Sequence, residues 1–260
     1  MTGDATRLAP NVLAPEALCI DDVTGPGGAP VLRHVSLSVP RGGSHVVLGP
    51  MHSGKSTLLR LVLGLERAVS GRVTIDGSTF DAARATEDQL RQVRRRVGVV
   101  FDTSALVSRL TLLENAMLPL AEGAAVGADR AREMAAGLLH DVGVTGDLER
   151  TPDMLTRLDT RRAALARALM LEPAMLLVDE PGNGLDPHAA AELDETLQAL
   201  HERYRCGILI CSQEVRYAFH WPVAVSVLAN GRIVEQGRLD DLLNSRHDAV
   251  RRFVDRRGAA

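Results

Sequence analysis

Lysine is almost absent from this 260-residue chain: of 30 lysine and arginine residues, only Lys55 is a lysine. Aromatic residues are also scarce, at 4 Phe, 2 Tyr and 1 Trp, so the core must be built mainly from aliphatic side chains. The net charge of −3 gives no sign of a nucleic-acid-binding surface, and we expect no nucleic-acid partner. A hydrophobic fraction of 45% predicts a sizeable globular core.

The chain also has few cysteines and no long apolar run. The spacing of Cys19, Cys206 and Cys211 fits no metal-binding pattern. Cys206 and Cys211 flank an apolar run, which predicts buried thiols in a reducing compartment. No apolar run approaches the ~20 residues needed to cross a bilayer, and the first residues lack the features of a signal peptide. We therefore expect a cytoplasmic protein that meets the membrane only through a partner.

The lone lysine lies in a motif that is typical of phosphate binding. The segment Gly49-Pro50-Met51-His52-Ser53-Gly54-Lys55-Ser56 matches G-x-x-x-x-G-K-[ST] at each fixed position, and Thr57 follows it. In this P-loop pattern the glycines let backbone N–H groups face phosphate oxygens, and the lysine reaches the β- and γ-phosphates. We expect Gly49 to Thr57 to bind a nucleoside triphosphate, with the Ser56 hydroxyl on Mg²⁺ and His52 as a variable loop position.

A second motif supplies acidic groups. The apolar run Met175 to Val178 ends in Asp179 and Glu180, roughly 125 residues beyond the lysine. In P-loop proteins the acid at such a strand end holds Mg²⁺, and we expect this role for Asp179. Glu180 is placed to polarise the attacking water as a general base.

Predicted strands and helices alternate along the chain. Apolar runs between turn residues predict strands at Ala17–Val23, Val31–Val39, His45–Leu48, Arg72–Ile75, Val97–Phe101, Ala174–Val178, Gly207–Cys211, Val223–Leu228 and Arg232–Gln236. Apolar residues at helical spacing predict helices at Ser56–Leu63, Thr111–Leu118, Ala128–Val142, Ala189–Tyr204 and His247–Arg256. This order predicts an α/β fold with a mainly parallel sheet and a helical insertion at about 103–165.

The same pattern predicts the domain organisation. Residues 1–16 are expected to form a loose tail, and residues 17–256 a single domain. The amphipathic helix at 247–256 is expected to pack on that domain. Arginine clusters such as Arg94–Arg96 and Arg161–Arg162 are expected on solvated helix faces or beside phosphates.

Pro181-Gly182-Asn183-Gly184-Leu185-Asp186-Pro187 follows Glu180 directly. Together with the P-loop, the acidic strand end and the helical insertion, this segment makes residues 17–256 similar to the ATP-binding subunits of ABC transporters. The resemblance implies a P-loop ATPase core with an antiparallel β subdomain, and ATP and Mg²⁺ as cofactors. It also implies a membrane permease partner, a second ABC ATPase subunit, and a position on the inner face of the membrane.

Some short stretches resemble the Mla/Mce-type lipid-transport ATPases in particular. They are Ser104-Ala105-Leu106, Leu110-Thr111, Glu114-Asn115, Arg161 to Ala168, Leu242 to Ser245 and Val250 to Phe253. This narrower resemblance implies a lipid or another hydrophobic substrate.

The chain departs from the family pattern in the motifs that act on the γ-phosphate. Leu155-Thr156-Arg157-Leu158-Asp159 replaces the Leu-Ser-Gly-Gly-Gln signature, which in the family binds the ATP of the opposite subunit. Asp102 replaces the Q-loop glutamine; we expect it to contact nucleotide and Mg²⁺, although it donates no hydrogen bond at neutral pH. Gln213 replaces the switch histidine, where it can hydrogen-bond the γ-phosphate in a catalytic role. Thr24-Gly25-Pro26 offers no aromatic ring for adenine.

These departures leave two functions open. The chain is either a transporter ATPase with turnover slowed by its signature, or a regulatory or structural subunit that binds ATP without useful hydrolysis beside an intact ABC ATPase. A homodimer would contain two altered sites, and a heterodimer with an intact subunit would contain one. A soluble ABC protein of DNA repair or translation is disfavoured, because the chain has neither tandem cassettes nor a long coiled-coil insertion.

Overall fold

The computed structural model describes residues 16–25, 31–121, 126–221 and 224–254. Most of the predicted tail, residues 1–15, and the turn residues Pro26 to Gly28 lie outside this part. Glu16 was assigned to the tail, but it is the first residue of a strand, because it pairs in register with Pro40.

Two sheets organise the described part of the chain. The strands are β1 (Glu16–Gly25), β2 (Leu32–Pro40), β3 (Ser44–Leu48), β4 (Ser70–Ile75), β5 (Ser78–Asp81), β6 (Val97–Val100), β7 (Met175–Asp179), β8 (Gly207–Ser212), β9 (Ala224–Ala229) and β10 (Arg232–Gly237). The smaller sheet has the order β2-β1-β4-β5 and is antiparallel throughout. The larger sheet has the order β10-β9-β3-β8-β7-β6, and only its edge strand β10 is antiparallel. The predicted α/β class with a mainly parallel sheet is confirmed.

The helices are α1 (Lys55–Val62), α2 (Glu87–Arg94), α3 (Leu112–Met117), α4 (Ala128–Asp141), α5 (Arg157–Leu169), α6 (Pro187–Tyr204), α7 (Arg216–His220), α8 (Leu239–Leu243) and α9 (Asp248–Val254). The sequence pattern did not predict α2, α7 or α8. The start of α2 carried a local signal, because Thr86 and Gln89 cap each other's backbone N–H groups in a capping box. No helix among the described residues is both long and apolar enough to cross a membrane.

The helices α3, α4 and α5 form the helical insertion, and α5 continues to Leu169, beyond the predicted limit near 165. Their apolar faces join those of β6, β7 and β8 in one buried cluster, so the insertion shares its core with the large sheet. At the other end of the chain, α9 buries Val250 and Phe253 in the same cluster.

The parallel strands place the motifs at one edge. The register of β3 and β8 sets Leu48 opposite Ser212, and that of β7 and β8 sets Asp179 opposite Cys211. The P-loop, the acidic strand end and the switch segment therefore all leave the carboxyl edge of the large sheet, where ligands bind in open α/β sheets.

Candidate nucleotide-binding site

The P-loop connects β3 to α1 in a conformation that depends on its glycines. A Cβ atom on Gly49 would lie 2.4 Å from the Leu228 carbonyl oxygen, so a larger residue does not fit there. Gly54 has a φ of 109°, which side chains rarely adopt, and His52 has a φ of 60°. Lys55 then begins α1, so the positive end of that helix faces the loop.

Lys55 is buried, and its side chain folds back over the P-loop. Its Nζ donates to the carbonyl oxygens of Gly49 at 2.8 Å and Pro50 at 3.0 Å. It also lies 3.1 Å from Glu180 Oε1, and the Lys55 side chain is only 5% exposed. The ammonium is thus fixed at the centre of the loop, with a carboxylate as its counter-ion.

The remaining P-loop residues divide into an exposed rim and a buried floor. Pro50, Met51 and His52 are exposed, and Met51 reaches 69%. Ser53 is buried, and its Oγ has no hydrogen-bond partner among the described residues. Thr57 is buried in the first turn of α1. The exposed residues are therefore accessible to a ligand, and the buried Ser53 hydroxyl is available as a hydrogen-bond donor.

Glu180 is held at both carboxylate oxygens. Oε1 faces Lys55, while Oε2 accepts from Ser212 Oγ at 3.1 Å and from the Gln213 backbone N–H at 3.0 Å. The residue has a φ of 44°, in the left-handed region that costs a non-glycine residue about 1–2 kcal/mol. Gln213 thus reaches Glu180 through its backbone, and its side chain is exposed.

Asp179 provides the anionic group that a divalent cation would neutralise. The residue is 1% exposed, and its Oδ1 has no hydrogen-bond partner within the described ranges. Burial raises the pKa of Asp179, while a hydrogen bond from Ser56 lowers it. Mg²⁺ commonly takes one or two protein ligands together with phosphate oxygens. The pair Ser56 and Asp179 fits that requirement.

Asp102 makes no hydrogen bond to these groups among the described residues, although its charge adds to burial in raising the pKa of Asp179. It is exposed and lines a cavity of about 330 Å³ together with Arg157, Arg161 and Gly184. The described residues contain no cluster of three acidic, histidine or cysteine side chains that could hold a metal ion, so Asp102, Asp179 and Glu180 do not form one. Contact of Asp102 with nucleotide or Mg²⁺ stays a prediction.

The segment at the signature position forms the capped start of α5. Thr156 Oγ1 accepts the Asp159 backbone N–H at 3.1 Å and donates to Asp159 Oδ2 at 2.9 Å. Arg157 Nη1 donates to the Gly184 carbonyl oxygen at 3.0 Å. In this arrangement the polar groups of the segment are engaged within their own chain.

Arg161 is buried, whereas the sequence pattern predicts a solvated helix face or a place beside a phosphate for it. It is 6% exposed, and its guanidinium donates to Phe101 O at 2.7 Å, Ser104 Oγ at 3.2 Å and Asn183 O at 3.2 Å. Burial lowers the pKa of Arg161. The side chain joins the segment that carries Asp102 to the turn that follows Glu180. Nothing in the local pattern marked it, because its acceptors come from distant segments.

Comparisons with known proteins agree with this geometry. The pattern of the "ABC transporter" family matches residues 32–183. The chain is 35% identical over 233 residues to the methionine import ATP-binding protein MetN of Ralstonia nicotianae, which covers 88% of this chain and 66% of that protein. It is 32% identical over 231 residues to a probable ribonucleotide transport ATP-binding protein of Mycobacterium leprae, which covers 89% and 66%. The chain thus spans just under two thirds of the length of these relatives.

A solved structure has the same fold. The dimeric post-hydrolysis state of the ATP-binding cassette MJ0796, bound to ADP and Pi, superposes with a TM-score of 0.75 and 27% identity, over 85% of this chain and 98% of that one. The family pattern covers more than half of the chain and includes both the P-loop and the acidic strand end. This chain belongs to the ABC transporter family of ATP-binding proteins.

Proposed function

We propose that this chain is the ATP-binding subunit of an ABC-type transporter, which couples Mg-ATP binding and hydrolysis to substrate movement by a membrane permease. The observation that carries the proposal is the buried Lys55 ammonium between two P-loop carbonyls and Glu180. A buried ammonium adds nothing to apolar packing, which supports a role for it in binding the β- and γ-phosphates. A peripheral position on the inner, cytoplasmic face of the membrane follows from the need to contact the permease.

The residues divide the chemistry among them. Mg-ATP, when bound, would supply the phosphoryl group that is transferred to water, and the cation would neutralise negative charge on the phosphates. Lys55 and the P-loop N–H groups hold the phosphates, and Ser56 with Asp179 would hold Mg²⁺. Glu180 acts as the general base through Oε1 once a phosphate competes for Lys55. Its Oε2 stays fixed by Ser212 and the Gln213 backbone, which orients the carboxylate.

A second subunit is the other proposed partner, in a homodimer or in a heterodimer with an intact ABC ATPase. The altered signature supports a second candidate function, a subunit that binds ATP without useful hydrolysis. The specific observation is that the Thr156 hydroxyl accepts the Asp159 backbone N–H and donates to the Asp159 carboxylate, while Arg157 donates to the Gly184 carbonyl oxygen of the same chain. These groups must leave their partners before they can meet another subunit's nucleotide.

The transported substrate is a more specific proposal, and two observations point to different substrates. The short stretches quoted in the sequence analysis favour a lipid or another hydrophobic substrate, as in Mla/Mce-type transporters. The relatives reported above are instead named for methionine import and ribonucleotide transport. Reconstitution with its permease partner, followed by ATPase stimulation with phospholipid, methionine and ribonucleotides in parallel, discriminates among these substrates.

Nucleotide binding tests the core of the proposal. We expect the purified protein to bind a fluorescent ATP analogue with Mg²⁺, and Lys55→Ala to raise the dissociation constant at least about tenfold, as loss of one or more charged hydrogen bonds predicts. Arg130→Ala on the exposed face of α4 serves as the control. Equal binding by Lys55→Ala and wild type would refute the proposed nucleotide site.

A repaired signature separates the two candidate functions. If the segment limits turnover, the triple variant Arg157→Gly, Leu158→Gly and Asp159→Gln should hydrolyse ATP at least about tenfold faster than wild type. Its ATP affinity should change little, since Lys55 and the P-loop are untouched. No gain in the repaired variant would show that the signature segment is not what limits this chain.

A further inference from the structure

We propose that the amino edge of the large sheet carries a second anion-binding site, separate from the P-loop, for a compact dianion with phosphate or carboxylate groups. A cavity of about 380 Å³ lies there, beside the starts of β6, β7 and β8. Its charged lining residues are Arg41, Asp76, Arg95, Arg96, Glu172 and Arg205. The P-loop leaves the opposite end of β3, roughly 16 Å away for five strand residues.

The charge of this cavity is unbalanced. The lining holds four guanidinium groups and two carboxylates, a formal charge of +2, and Arg95 also has an interaction of its own. Asp76 takes up part of the charge, because it forms ion pairs with Arg41 and with Arg96, the latter at 3.1 Å. Arg205 is exposed and forms no side-chain hydrogen bond or ion pair with any described residue. A ligand with two negative charges would balance the site.

The arginines converge because four separate turns meet at this edge. Arg41 lies between β2 and β3, Arg96 precedes β6, Glu172 precedes β7, and Arg205 precedes β8. Their backbones are fixed: the Arg96 carbonyl accepts the Ala174 N–H at 2.9 Å, and the Arg205 N–H donates to His201 O at 3.0 Å. The cationic groups are therefore mounted on ordered backbone at the rim of the sheet.

Uncommon backbone conformations also gather here. Asp76, Glu172 and Arg205 have φ values of 50°, 48° and 51°, in the left-handed region that non-glycine residues seldom adopt. Asp76 lies in the two-residue turn between β4 and β5, and Arg205 is the C-terminal cap of α6, so two of these conformations belong to a tight turn and a helix end. They fix the backbone that carries the charged side chains of the cavity.

The chemistry of arginine selects the ligand. A guanidinium presents paired N–H donors that match the two oxygens of a phosphate or carboxylate group. The cavity is large enough for a small molecule of this kind, and its polar lining favours no apolar ligand. We assign the site to a small dianion on these grounds, independently of ATP hydrolysis.

Titration calorimetry with inorganic phosphate and with succinate, at ionic strength matched with chloride, tests the site. The proteins are wild type, Arg205→Gln, Arg95→Gln, Lys55→Ala and a control, Arg232→Gln, which removes an exposed arginine from β10. We expect Arg205→Gln and Arg95→Gln each to weaken binding about tenfold, as loss of one charged hydrogen bond predicts. Arg232→Gln should bind both anions like wild type, and Lys55→Ala should bind succinate like wild type.

Several outcomes are decisive. Binding of phosphate alone would assign a phosphate-bearing ligand, and binding of succinate alone a carboxylate. Binding that is lost in Lys55→Ala but kept in Arg205→Gln would place the anion in the P-loop and overturn the proposal. Equal weakening by Arg205→Gln and Arg232→Gln would mean that the anion responds only to the overall charge of the protein, which would overturn the proposal. Absence of binding by the wild type at millimolar anion concentration would also overturn it.

Discussion

Replacement of Arg161 by alanine should destabilise the protein far more than replacement of an exposed arginine. Arg161 is 6% exposed and donates to three oxygens, on Phe101, Ser104 and Asn183. Its removal leaves the buried Ser104 Oγ and the partly buried Phe101 carbonyl oxygen without their donor, whereas Asn183 is exposed to water. A buried polar group left unsatisfied costs about 1–3 kcal/mol, and we expect Arg161→Ala to lower the free energy of unfolding by about 3 kcal/mol.

A conservative variant separates the charge of Arg161 from its hydrogen bonds. Arg161→Lys keeps the charge but cannot reach three separate acceptors with one ammonium, so we expect a loss of about 2 kcal/mol. Arg130→Ala is the control, because its ion pair with Glu133 is exposed and such pairs contribute at most about 0.5 kcal/mol.

Urea unfolding followed by circular dichroism measures all three variants. Arg161→Ala should also slow ATP turnover. The reason is that Arg161 connects the segment that carries Asp102 to the turn after Glu180, and both lose this connection in the variant. A loss below about 1 kcal/mol for Arg161→Ala, or equal losses for Arg161→Ala and Arg130→Ala, would refute the structural role assigned to this residue.

Three further predictions concern the core and the P-loop. Burial lowers the pKa of His45 from 6.5 to about 4. Because the unfolded chain therefore takes up the proton at a higher pH than the folded protein, the stability present above pH 6.5 should fall by about 3 kcal/mol as the pH is lowered towards 4. His45→Gln should flatten this pH dependence in urea unfolding measured at several pH values. Gly49→Ala should lower the melting temperature and weaken ATP binding, because its Cβ would meet the Leu228 carbonyl oxygen at 2.4 Å; unchanged values for both would contradict the packing argument. Lys55→Arg should bind ATP at least about tenfold more weakly than wild type in equilibrium dialysis, because a planar guanidinium does not fit over the loop; wild-type affinity would count against the need for lysine.

The parts of the fold that could be predicted are those with a local signal. The strand before Gly49, the buried Lys55 and the strand that ends in Asp179 all follow from patterns within about ten residues. The short helix α2 also carried such a signal at Thr86, which hydrophobic periodicity alone does not detect because α2 buries only Leu90 and Val93.

The parts that could not be predicted depend on contacts between distant segments. Arg161 lies in a helical run of arginines and alanines, and its burial is decided by carbonyl oxygens 60 and 22 residues away. Gln213 reaches Glu180 through its backbone N–H, whereas the sequence analysis assigned a role to its side chain. The partner of Arg157, the Gly184 carbonyl oxygen, likewise becomes visible only once α5 and the turn before α6 are placed together.

The central claim is that this chain binds and hydrolyses Mg-ATP with Glu180 as the general base. Phosphate release and ATP binding by purified wild type and Glu180→Gln test it most directly, because the substitution removes the proton-accepting carboxylate and nearly preserves the shape of the side chain. We expect measurable turnover in the wild type, a loss of at least about a hundredfold in Glu180→Gln, and ATP binding in both. Turnover that survives in Glu180→Gln, or absence of ATP binding in the wild type, would contradict this claim.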